Sequence, residues 1–475
     1  MFERLKELLR HSALYGLGNL VARIVSVLLL PLYTRYLTPA DYGLIETLVA
    51  LSAVLTAFAA QAMKSAFFRF YFDSAEEDRR RAVIQTAFWY VMGAATTLLA
   101  AGVLSATTLS RLLFGDGSHR GLVIAAFVGL WAAMNYEQMT SMFRVEKRSG
   151  AYVVATLANL VVTVAATVLL VVAFEQGPLG VIVGNFTGTL AVYAGLLLHR
   201  RGLLAFRFDR PLYRSMVRYG LPLVPSVVAL WATNFSDRFF LVKLADPHEV
   251  GLYSIGVRLA SAIVIALTAF RMGWPPFAYS IEDDSEAKRT YSFVMTYVVY
   301  VTCWASLALG VLAPWLLRLI TTSPFYPAQD VVAPLAFATA AFGGYTVAVI
   351  SVGRVRATRL NWAVTGAAAV LNVALNVALI PPFGRMGAAV ATLAAYLLMF
   401  AGMVWRAQTV FAVPYQWRRV GILVALAVGF TVLAKAADVP LGVALLLVAA
   451  YPLALIPLRF YLPVERARLR ALLPT

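Results

Sequence analysis

Apolar runs of roughly 20 residues follow one another along almost the whole chain, and this is the length needed to cross a hydrocarbon core of about 30 Å. In lipid an unpaired backbone amide is too costly, so each run must close its own hydrogen bonds as a helix. The runs are too long and too uniformly apolar to be barrel strands. With 61% hydrophobic and only 13% charged residues in 475, the chain lacks the charged surface that a soluble fold of this length needs. The expected fold class is all-α and polytopic, with about fourteen transmembrane helices and no soluble domain.

Breaks rich in charge, proline or glycine set the expected spans at 12–36, 42–63, 83–107, 121–142, 150–173, 178–198, 216–242, 250–271, 291–318, 329–352, 360–381, 385–405, 418–435 and 439–458. The basic residues test this topology. With the N-terminus inside, thirty Lys and Arg fall on the cytoplasmic side and eight on the other, while Arg23 and Arg258 lie within spans. Such a bias supports an even span count and both termini cytoplasmic; the expected location is the cytoplasmic (inner) membrane. The net charge of +17 is thus spread over short inter-helix clusters, and no nucleic-acid partner is expected.

The chain also repeats itself. Tyr15-Gly16-Leu17 returns as Tyr219-Gly220-Leu221, and the turn Thr38-Pro39-Ala40-Asp41-Tyr42-Gly43 is echoed by Asp246-Pro247-His248-Glu249-Val250-Gly251. Arg144-Val145 returns as Arg354-Val355, and Gly177-x-x-Gly180 as Gly384-x-x-Gly387. Matches in one order at similar offsets indicate a duplication of six spans, giving two parallel, pseudo-symmetric six-helix lobes with a site between them near the midplane. The expected organisation is an N-terminal lobe at 1–198, a cytoplasmic linker at 199–215, a second lobe at 216–405, and appended helices 13 and 14 with a tail at 406–475. The opening Phe2 to Arg10 is amphipathic and is expected on the cytoplasmic surface.

Little in the sequence points to catalysis. Cys303 is the only cysteine, and His11, His119, His199 and His248 are scattered without ligand spacing. There is no phosphate-cradling glycine loop with a lysine and no nucleophile elbow. The acidic runs Glu76-Glu77-Asp78 and Glu282 to Glu286 read as solvated loops beside basic residues. No catalytic residue, metal site or cofactor is expected, and the chain is not expected to be an enzyme.

Charges inside spans carry more information, because each costs at least a few kcal/mol unless it meets a partner or a wet cavity. Arg23 is about halfway along the first span and shares a helical face with Tyr15, Asn19 and Ser26; in the eighth span Ser254, Arg258 and Ser261 form a similar stripe. Glu46 corresponds to Ser254 in the repeat. One reading makes Glu46 and Arg258 an inter-helix pair that holds the halves together. The other has Arg23 and Arg258, with Asn19, Ser254 and Ser261, line a polar cavity that binds an anionic group, since a guanidinium fork suits phosphate. Glu46 would then orient an arginine or accept a coupling proton. Asp237-Arg238 reads equally as a structural pair or a gate, and Glu137 as a snorkelling or loop-facing residue. Pro222 and Pro225 remove donors at the start of the seventh span and read equally as a hinge or as a proline-tolerant helix end, and Trp274-Pro275-Pro276 is expected to close the eighth. Asn372 and Asn376, one turn apart, could line the cavity but read better as packing between helices.

Three stretches resemble one known family. The run Pro31 to Glu46, the pair Tyr219-Gly220-Leu221-Pro222 and Asp237-Arg238-Phe239-Phe240-Leu241, and the segment Leu371 to Ala389 with Asn372, Asn376, Gly384 and Gly387 resemble Wzx-type polysaccharide flippases of the multidrug/oligosaccharidyl-lipid/polysaccharide exporter superfamily. The resemblance covers spans one to twelve. It implies two six-helix lobes around a central cavity and alternating access. The cargo it implies is a polyprenyl-pyrophosphate-linked oligosaccharide, moved to the outer leaflet for surface polysaccharide biosynthesis. It also implies that cationic residues on the first and eighth helices grip the pyrophosphate, which Arg23 and Arg258 match by helix. Partners would be the lipid-linked oligosaccharide, the bilayer and other polysaccharide-assembly membrane proteins. Coupling to a proton, sodium ion or the membrane potential would need no bound cofactor. The two added helices also resemble the peptidoglycan-precursor branch, which leaves that substrate open. A multidrug antiporter of the same superfamily would prefer an acidic cavity, whereas the intramembrane bias here is cationic.

Overall fold

The computed structural model describes residue 25 and residues 28–73, 76–357, 360–458 and 460–462. Among these residues every regular element is helical. The helices are α1 (Leu30–Tyr36), α2 (Pro39–Phe72), α3 (Glu77–Leu104), α4 (Ala106–Phe114), α5 (Arg120–Val145), α6 (Ser149–Val168), α7 (Gly177–Arg200) and α8 (Arg210–Gly220). They continue as α9 (Val224–Leu244), α10 (Pro247–Ala260), α11 (Ala262–Ser280), α12 (Asp284–Ile320), α13 (Gln329–Arg354), α14 (Asn361–Val410), α15 (Trp417–Ala436) and α16 (Leu441–Ala454). Eight helices are long and apolar enough to cross a membrane among the described residues, or nine if α10 and α11 form one span bent by 46°. This supports the all-α membrane fold without reaching the count of fourteen. The amphipathic opening lies outside the described residues, as do residues 12–24 and 26–27 of the expected first span.

Two compact units divide the chain at Gly251/Leu252. In the first, helices α6 and α7 fold back as a hairpin whose glycines allow backbone contact: a methyl group on Gly184 or Gly188 would collide with Thr167 or Thr163. α6 ends in a π-helical turn at Leu169–Ala173 before the reversal. At one end of this unit Arg200 of α7 donates to Glu146 at 2.8 Å and lies over Phe143 at 4.8 Å, so a buried guanidinium has both a charge partner and a ring.

The second unit is built around α12, against which α13, α15 and α16 pack with Tyr291, Met295, Cys303, Leu307, Leu423 and Tyr451 fully or almost fully buried. α14 contains two helical arms meeting at Gly384, whose φ of 52° and ψ of −131° are open to glycine alone. These arms match the expected eleventh and twelfth spans. Two expectations change here. Trp274-Pro275-Pro276 does not close the eighth span, because α11 runs through both prolines to Ser280. The interruption comes earlier, at Ser261, whose hydroxyl bonds back to the Arg258 carbonyl at 2.6 Å.

The repeat read from the sequence recurs in the backbone of each unit. Gly177 and Gly384 both have positive φ, 51° and 52°, and both open the helix after a reversal. Gly180 and Gly387 then face the backbone of Leu170 and Leu379, three residues later in each case. Lys147 (φ 59°) and Arg356 (φ 56°) are left-handed residues ending α5 and α13. Each helix end is sealed in the same way: Arg148 N–H bonds to Phe143 O and Lys147 N–H to Arg144 O, as Ala357 N–H bonds to Val352 O and Arg356 N–H to Gly353 O. Structural equivalence at this point therefore runs at 209 residues, one less than the offset between Arg144-Val145 and Arg354-Val355.

Candidate functional site

α2 starts with a capping box. The Thr38 hydroxyl accepts from Asp41 N–H, the Asp41 carboxylate accepts from Thr38 N–H, and Pro39 occupies the first helical turn. About two turns further on lies Glu46. α9 runs antiparallel to α2, with Trp231 Nε1 donating to the Ala50 carbonyl at 3.2 Å and Arg238 meeting Glu46.

Three charged residues are buried together at this crossing: Asp237 is 2% exposed, Arg238 5% and Glu46 8%. The Arg238 guanidinium donates through Nη1 to the Asn234 carbonyl at 3.0 Å and to Asp237 Oδ1 at 3.2 Å, and its Nε lies 3.8 Å from Glu46 Oε2. The Phe235 ring lies 5.3 Å below it. Asp237 Oδ1 also accepts from the Arg238 backbone N–H. Removing charge from water is tolerable only with such pairing, so two carboxylates flank one cation across two helices. The cluster links α2 to α9 through charge contacts that depend on the placement of both helices.

The other expected site residues fall as follows. Arg23 and Asn19 lie outside the described residues. Ser254 and Arg258 stand one turn apart on α10; Ser254 is buried, its hydroxyl without a partner among the described residues, and Arg258 is half-buried. Ser261 stands at the break between α10 and α11. Pro222 lies in a 3-10 turn at Leu221–Leu223 between α8 and α9, and Pro225 in the first turn of α9, so both mark a junction between helices. Asn376 donates to Asn372 at 3.1 Å inside α14, with both residues fully buried. Glu137 is bound by Lys64 of α2, a pairing that links α2 to α5. Sequence reading missed this pair because the two residues are 73 positions apart and neither stands out in its own span.

A model of the family described as polysaccharide biosynthesis protein matches residues 8–281, more than half of the chain. The chain belongs to this family. Its described helices make it a multi-pass membrane protein, and its family is one of polysaccharide biosynthesis. Protein 1 of the Lsg locus of Haemophilus influenzae is 23% identical over 284 residues, covering 57% of this chain and 65% of that relative, somewhat less than two thirds of its length. Among solved structures, the lipid II flippase MurJ in an inward closed conformation superposes with a TM-score of 0.75 at 10% identity, over 95% of this chain and 99% of that one. A multidrug resistance MATE family transporter of the MOP superfamily, inward-facing, gives 0.67 at 12% identity, over 86% and 94%. A MOP superfamily transporter from Pyrococcus furiosus gives 0.53 at 12%, over 88% and 94%. At these identities the structural likeness establishes the fold that the family member adopts.

Proposed function

We propose that this chain moves a polyprenyl-pyrophosphate-linked oligosaccharide from the inner to the outer leaflet of the cytoplasmic membrane by alternating access. The observation that carries this reading is the polysaccharide biosynthesis match over residues 8–281, which takes in the first eight expected spans. The duplicated backbone supports two lobes that swing about a central site. In this reading the lobes are 1–198 and 216–405, joined by 199–215, with both termini cytoplasmic. Arg23 and Arg258 hold the pyrophosphate, with Asn19, Ser254 and Ser261 beside them. Glu46, Asp237 and Arg238 couple or gate, and Glu46 is the group that would take up a proton if protons drive the cycle. Pro222 and Pro225 supply the hinge. The chain does no chemistry on its cargo.

A second reading, transport of a peptidoglycan-precursor lipid, is favoured by one observation: the likeness to the lipid II flippase MurJ extends over 95% of the chain. The test is export in cells. Arg23→Ala and Arg258→Ala should each stop surface glycan export at unchanged membrane level of the protein. Normal glycan export with impaired wall synthesis would favour the second reading, and normal export and wall synthesis in both variants would remove the two arginines from the site.

A further inference from the structure

The segment between α7 and α9 has a feature that the transport reading does not use. Its helix α8 is strongly two-faced. Leu212, Met216 and Gly220 are buried, while Arg210, Arg214 and Arg218, spaced four apart on the other side, are all exposed. Arg201 and Arg207 precede the helix and are exposed as well. No carboxylate lies within 4 Å of these five arginines among the described residues. The segment's one acid, Asp209, is already engaged, capping α8 through Leu212 N–H at 2.8 Å and standing 3.8 Å from Arg79. Next to this basic stripe the chain presents apolar groups to the outside: Phe206 is 81% exposed and Leu221 59%.

The segment is held firmly in place. Gln85 Nε2 donates to Leu203 O, Trp89 Nε1 to Ala205 O, and Asp209 N–H to the Thr86 hydroxyl. Phe70 and Tyr219 meet edge to face at 6.1 Å. These anchors tie α8 to the ends of α2 and α3, beside the exposed Arg69 and Arg79. A fixed stripe of unpaired guanidinium groups with protruding aromatic and aliphatic side chains is complementary to a surface with anionic heads over hydrocarbon.

We propose that this face of α8 docks on the anionic phospholipid headgroups of the adjoining leaflet, so that the connection between the two halves of the repeat is anchored to the membrane surface. Arg210, Arg214 and Arg218 bind phosphate, and Phe206 and Leu221 enter the apolar boundary beneath. The partner is the bulk anionic phospholipid, distinct from the transported cargo.

The test uses the full chain with Cys303→Ala and a fluorophore on Ser215→Cys, an exposed position next to the stripe. It is reconstituted in nanodiscs of equal parts phosphatidylglycerol and phosphatidylcholine with only one of the two lipids brominated. Each arginine at an anionic surface favours association by about fivefold, so quenching by brominated phosphatidylglycerol should exceed that by brominated phosphatidylcholine several-fold. The excess should fall in high salt and vanish in Arg210→Gln/Arg214→Gln/Arg218→Gln. Equal quenching by the two lipids, or an excess that survives both salt and the triple substitution, overturns the proposal. The salt arm keeps all three arginines, so it stands even if the triple substitution does not fold.

Discussion

Gly43 lies against the carbonyl oxygen of Pro247 so closely that a methyl group on its Cα would sit 1.8 Å from that oxygen, and Gly251 stands in the same relation, again 1.8 Å, to the carbonyl of Pro39. The two prolines open α2 and α10, and each glycine follows its proline by one turn. A contact that is reciprocal and links residues at one repeat offset is what a local two-fold axis between duplicated helices produces. It also explains why the turn Thr38 to Gly43 and its echo Asp246 to Gly251 keep the same proline and glycine. The cap is retained too: Asp246 accepts from Glu249 N–H at 2.8 Å, as Thr38 accepts from Asp41 N–H.

Gly43→Ala and Gly251→Ala should each destabilise the protein by at least about 1–3 kcal/mol, because the obstructing atom is backbone and cannot rotate away. Gly93→Ala, where nothing lies within 4 Å, should be neutral or slightly stabilising. Thermal unfolding of the three variants in one detergent checks this. Equal midpoints for all three would refute the close crossing.

The reversal inside α14 makes a second demand on glycine. With φ 52° and ψ −131°, Gly384→Ala places a side chain in strained backbone, at a cost of roughly 1–3 kcal/mol. Gly366→Ala, in the first arm of the same element with no atom within 4 Å, is the control. A midpoint for Gly384→Ala no lower than that of the control would contradict the hairpin.

The buried charges on α2 and α9 predict strong coupling. Glu46→Gln or Arg238→Gln alone leaves a buried charge short of a partner and should cost about 3–5 kcal/mol. The double variant should cost clearly less than the two added together. Additive losses would mean that the residues do not interact.

Asp283 caps α12, and the backbone N–H of Glu286, helped by the Ser285 hydroxyl, holds its carboxyl below the usual carboxylate range. A lowered folded-state pKa contributes stability above the unfolded value and loses it as pH falls through the folded one. Asp283→Asn should therefore lower the unfolding midpoint at neutral pH and make little difference once the medium is acidic enough to protonate the native carboxyl. A gap between the two proteins that stays constant down to that acidity would contradict the cap.

Fold class was legible because it rests on length and hydropathy, which the bilayer imposes on every span separately. The repeat was legible where it depends on turns: Pro39, Gly43, Gly177 and Gly384 keep their type because their backbone geometry admits few others. Helix ends were less so. α11 runs on past Trp274 through Pro275 and Pro276, since a missing donor near the end of a helix costs little when side chains pack around it. The partners of charged residues were the least visible. Glu46 meets Arg238 and Glu137 meets Lys64 across helices far apart in sequence, and no local spacing encodes such pairs. The amphipathic face of α8 could have been seen beforehand from its arginines at four-residue intervals, which the topology count treated only as inside charge.

The most direct test of the central claim is leaflet transfer in vesicles that contain the purified protein alone. A fluorescent polyprenyl-pyrophosphate oligosaccharide is placed in both leaflets, and a membrane-impermeant reductant is added outside. If the chain is a flippase for such a lipid, wild-type vesicles lose nearly all the signal and Arg23→Ala vesicles only the half that empty vesicles lose. Loss of half the signal in all three, with the protein folded and inserted, would contradict the account.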